Sequence, residues 1–84
     1  RAQSAKEYAE QLARQTGCRV ILVEHCAPEA LGGDFTQLEN GVYRRELTEA
    51  ALERIEASLE SEYAMTICGA RGEAADTAYL LCTN

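Results

Sequence analysis

The chain is expected to fold as a small α+β domain: a two-layer sandwich with a mostly antiparallel sheet of about five strands and two helices on one face. Three observations predict this. Two segments repeat apolar residues at helical spacing, several short segments are rich in β-branched and aromatic residues, and an Asn40-Gly41 pair separates two strand-like arms. Each helix has one apolar side, which a single sheet can cover. The expected order is helix, strand, strand, strand, helix, strand, strand, within one domain spanning 1–84.

The first helix is read in "AQSAKEYAEQLARQTG". Ala5, Tyr8, Ala9 and Leu12 follow the i, i+3, i+4, i+7 rule, and Lys6, Glu10, Gln11 and Arg14 lie off that stripe. Gly17 is placed to end it at positive φ. "CRVILVEHC" is a strand, apolar on both faces in its middle, as expected of a strand inside a sheet. Pro28 and Gly32-Gly33 then break the pattern around one helical turn in "PEAL".

"FTQLENGVYRREL" is a hairpin, with arms Thr36 to Glu39 and Val42 to Glu46 and a two-residue type I′ turn at Asn40-Gly41. "TEAALERIEASLESE" is the second helix, with Thr48 as N-cap and Glu49 in the first turn. Leu52, Ile55 and Leu59, joined by Ala51, form its buried stripe. "YAMTIC" and "TAYLLCT" are the closing strands, and "GARGEAAD" is the loop between them.

The first five elements share their order with double-stranded-RNA-binding domains. The likeness is one of order alone, and the charge argues against it: 14 acidic against 8 basic side chains leave a net charge of -6. Binding phosphates needs a basic surface, so neither nucleic acid nor anionic membrane is an expected partner. No apolar run approaches the ~20 residues that span a bilayer. A chain this short buries only about 60% of its exposable surface, so homodimerisation, by the hairpin edge or an apolar helix patch, is a further expectation.

Among the residues that carry chemistry, His25 is the only histidine, flanked by Glu24 and Cys26. A Cys-His pair is the runner-up catalytic arrangement, carried by His25 and Cys26. Neighbours on a regular strand point to opposite faces, however, so the pair forms only if the strand bends before Pro28. Cys18 and Cys26 are eight apart, and Cys68 and Cys82 fourteen apart, so no pair has the C-x₂₋₄-C spacing of a zinc knuckle. No metal or cofactor is expected. Most of these cysteines lie in or beside apolar runs, where reduced thiols pack as small hydrophobes, consistent with a cytoplasmic setting. "GGDF" lacks the lysine of a P-loop, and "CGARGEA" is not followed by a helix, so both are turns.

The most distinctive surface pattern is Glu49, Glu53, Glu56 and Glu60, spaced four, three and four along the second helix. Like charges so placed cost a few tenths of a kcal/mol per pair. As a solvated face they need no function; as an exposed acidic ridge they would speed docking on a basic groove. Arg71 is a further binding candidate at the tip of the last loop. The expected function is therefore a small acidic protein-interaction domain, an inhibitor or regulator of a protein with a basic surface such as a nucleic-acid-handling enzyme. A small Cys-His enzyme and a structural homo-oligomeric module are the alternatives.

Overall fold

Ser4 starts the first helix with a reciprocal cap. Its Oγ accepts the Glu7 amide at 3.2 Å, and Glu7 Oε1 accepts the Ser4 amide at 3.2 Å. Helix α1 runs Ala5–Thr16 and ends at Gly17, whose φ of 70° lets its amide reach Ala13 O at 2.9 Å. The computed structural model describes residues 3–39, 41–59, 64–69 and 76–83. Within them follow β1 (Arg19–Glu24), a 3₁₀ turn (Pro28–Leu31), β2 (Thr36–Gln37), β3 (Val42–Thr48), α2 (Glu49–Leu59), β4 (Ala64–Cys68) and β5 (Thr77–Thr83).

This is the expected α+β domain, a five-stranded, mostly antiparallel sheet with two helices. The strand order is β2-β3-β5-β1-β4. Only β1 and β5 are parallel, with Ile21 opposite Leu80; β4 joins β1 antiparallel, with Ile21 opposite Ile67. Antiparallel β3 covers the other side of β5, with Arg45 opposite Leu80.

The helices do not share a face, which corrects the two-layer expectation. Ala9 and Ala13 of α1 pack with Val20, Leu22 and Leu81. Leu52 and Leu59 of α2 pack with Ile21, Val23 and Leu80. Alternate residues of one strand point to opposite sides, so α1 and α2 lie on opposite faces of the sheet. The physical reason is β1 itself: Val20, Ile21, Leu22 and Val23 are all buried. A four-residue apolar run puts side chains on both faces, and both need cover.

The hairpin forms, with a different turn. Leu38 N donates to Val42 O at 2.8 Å, and Val42 N donates to Glu39 O at 3.1 Å. Leu38 therefore pairs with Val42, and the loop is one residue longer than the expected two. Gly41 supplies the positive φ of 71°; Asn40 lies outside the described residues. No described helix is long and apolar enough to cross a membrane.

Candidate functional site

The expected acidic ridge does not survive as an exposed line. Strand β3 passes into α2 without a linker, so Thr48 ends one and caps the other, its Oγ1 accepting the Ala51 amide at 3.1 Å. The Glu49 amide donates to Asp76 O at 2.8 Å, which pins this first turn to the start of β5. Glu49 is consequently only 8% exposed. Glu56 accepts a hydrogen bond from Arg19 Nη2 at 2.6 Å, in a pair largely withdrawn from solvent. Glu53 is the exposed member of the three; Glu60 and Arg71 lie outside the described residues.

His25 and Cys26 separate. The chain does bend after β1, because His25 takes φ 60°, the one positive φ at a non-glycine among the described residues. The bend puts His25 in solvent and Cys26 into the core at 3% exposure. Cys26 N donates to Thr83 O at 2.9 Å, and its thiol donates to Ala27 O at 3.5 Å. Among the described residues His25 makes no hydrogen bond to any cysteine.

All four cysteines are free, and Cys18, Cys26 and Cys82 are buried. Burial pushes the Cys82 thiol up to about 12, with Cys26 and Glu29 adding to it. The Cys68 thiol is also raised, first by burial and then by Glu10, against a smaller opposing effect of Lys6. A raised thiol is a poor nucleophile at neutral pH because little thiolate forms. Among the described residues, no three His, Cys, Asp or Glu side chains gather as metal ligands.

Two concave surfaces replace the ridge as candidates. The first is a recess of about 260 Å³ lined by Pro28, Glu29, Asp34, Phe35, Gln37 and Tyr43, with Gly33 at its wall. Next to Gly33, Arg45 Nη1 donates to Gly32 O at 2.8 Å. Gly33 has φ 82°, and any Cβ there would collide with the Arg45 guanidinium. Glycine is thus needed for the backbone angle, and a Cβ would have to displace the flexible end of Arg45. The recess combines two carboxylates with two half-buried aromatic rings, a set suited to a cationic side chain.

The second is a groove of about 500 Å³ between α1 and β4, lined by Lys6, Glu10, Ala13, Arg14, Thr66 and Cys68. Beside it Ile67 is 52% exposed, the large hydrophobic residue most open to water among those described. Local sequence signals could not assemble either surface. The recess draws on three segments whose juxtaposition depends on pairing β2 with β3, and the groove needs β4 at the sheet edge. The readable hint for the groove was the absence of charge from "AMTIC".

Comparison with known proteins gives no match: no family model, no curated protein and no solved structure resembles the chain significantly.

Proposed function

We propose that the chain is a small acidic protein-interaction domain that regulates or inhibits a partner with a basic surface, a nucleic-acid-handling enzyme being one concrete form. The observation that carries this reading is the recess between the 3₁₀ turn and the hairpin. A lysine or arginine side chain of the partner would enter between Phe35 and Tyr43 and meet the carboxylates of Glu29 and Asp34. Ring faces attract a cation by about 0.5–1 kcal/mol at exposed sites and more when water is excluded. The net charge of -6 supports the same reading, since it would steer a basic partner toward the encounter. Recognition is thereby assigned to the recess and withdrawn from α2, where Glu49 is buried and Glu56 is held by Arg19.

The test is a titration of the isotope-labelled chain with a short lysine- and arginine-rich peptide, followed by amide chemical shifts. Shifts should concentrate at Asp34, Phe35, Gln37 and Tyr43, weaken with salt, and vanish in the double variant Glu29→Gln/Asp34→Asn. Equal shifts around Glu46, Glu53 and Asp76 would mean a diffuse acidic surface and would end the assignment.

A further inference from the structure

We propose that the open edge of β4 pairs antiparallel with β4 of a second copy of this chain, joining two sheets into one. This rests on the sheet edge and the α1 groove and is independent of the recess. Strand β4 is bonded to β1 on one side. Among the described residues, no strand occupies its other side. Natural edges are blunted by charge, proline, bulges or brevity. Ala64-Met65-Thr66-Ile67-Cys68 has no charge and no proline, and pairs with β1 over all five positions in an unbroken register.

The side chains favour a copy of the same strand as occupant. Met65 and Ile67 lie on the α2 face, where Met65 packs against the core and Ile67 stays 52% exposed. A two-fold axis through Thr66 sets each Ile67 opposite Met65 of the second copy. The exposed isoleucine is then covered in both halves by the same contact, which is the self-complementarity that two-fold interfaces require. Packing across directly opposed strand positions is the main side-chain contribution to such pairing.

On the other face, the same axis lays α1 beside its copy, antiparallel. The groove row Lys6, Glu10, Arg14 alternates in sign at one-turn intervals. With a one-turn offset, Lys6 meets Glu10 of the second copy and Glu10 meets its Lys6. This row is locally complementary on a chain whose net charge of -6 otherwise repels a copy of itself. Added salt screens that long-range repulsion. Self-pairing should therefore tighten with salt, whereas docking of a basic partner weakens.

Sedimentation of the purified chain across concentration and salt is the experiment. A monomer–dimer equilibrium is expected, with the dimer favoured at higher salt. Ile67→Lys, at an exposed position, should weaken it about tenfold or more while leaving circular dichroism unchanged, because it forces a charge against Met65. Lys6→Glu and Glu10→Lys should each weaken the dimer, and the double variant should restore it. A monomer at all concentrations up to about 1 mM would overturn the proposal, that being the weak limit of useful self-association. So would a dimer indifferent to Ile67→Lys. A monomeric chain that captures a foreign strand through Ile67 would assign the edge to another protein and overturn self-pairing equally.

Discussion

The two edges of the sheet are finished in opposite ways. Strand β2 is two exposed residues, Thr36 and Gln37, hung on β3 by a short hairpin. Strand β4 pairs over five positions with β1, whose middle is buried on both faces. A short, polar edge offers few backbone groups to a foreign strand, and a longer uncharged edge offers a row of them. One sheet therefore has a closed side and an open side. Among the described residues the core-anchored edge is the longer one left unpaired, so strand addition there would extend the sheet beside a strand buried on both faces.

The contrast breaks most readily at β1. Leu22→Ala, opposite Thr66 and fully buried, should cost about 2–5 kcal/mol in urea unfolding. Thr36→Ala on the closed edge should change stability by less than about 0.5 kcal/mol. Similar losses at both sites would mean that the edges are equally integrated.

The turns beside the two edges sharpen it. A Cβ at Gly69, just after β4, would lie 2.8 Å from Cys18 O, whereas one at Gly41, beside the hairpin, meets nothing within 4 Å. Both glycines have positive φ. Gly41→Ala should cost about 1 kcal/mol for the backbone conformation alone, and Gly69→Ala about 2–4 kcal/mol with the backbone collision added. Equal costs would show that the β4 end yields as freely as the hairpin.

Arg45→Ala removes the donor to Gly32 O and should lower stability by about 1 kcal/mol. It should also reduce the peptide-induced shifts at Phe35 and Tyr43, while dimerisation through β4 stays unchanged. A variant that disturbed dimerisation would couple the two sides of the sheet.

The smallest effect concerns pH at the closed edge. Tyr8 OH donates to Glu39 Oε1 at 2.9 Å, which ties α1 to the hairpin turn. That bond raises the phenol, with burial and the Glu39 charge acting in the same direction. The folded-state value lies above the unfolded one, so the contribution is present below about pH 10 and is lost as pH rises through the folded value. Wild-type and Tyr8→Phe melting curves should converge as pH rises above that point. Parallel curves throughout would remove Tyr8 from the stability balance.

Local signals made much of the fold legible. Gly17 ends α1, Thr48 caps α2, and Leu52 and Leu59 are buried where helical spacing put them. Each of these depends on residues within about one helical turn. The face of each helix was harder to read, although the run Val20 to Val23 already implied cover on both sides. Pairing β1 parallel with β5 joins positions nearly sixty residues apart, and no short-range pattern encodes it. The candidate ridge failed for the same reason. Arg19, which holds Glu56, comes from another element, and Glu49 is buried because its helix starts directly on a strand end. Helical spacing gives a row's alignment but not which of its members meet water.

Cys82 turns this fold into its own chemical clock. Its side chain is fully buried and its thiol is pushed up to about 12, so at neutral pH very little of the native protein carries the reactive thiolate. An alkylating reagent must therefore wait for the molecule to open. Under conditions where closing outruns the reagent, the rate at which Cys82 is labelled reads the free energy of exposing the central strand. No engineered probe is needed, and the more exposed Cys68 supplies an internal reference on the strand at the open edge.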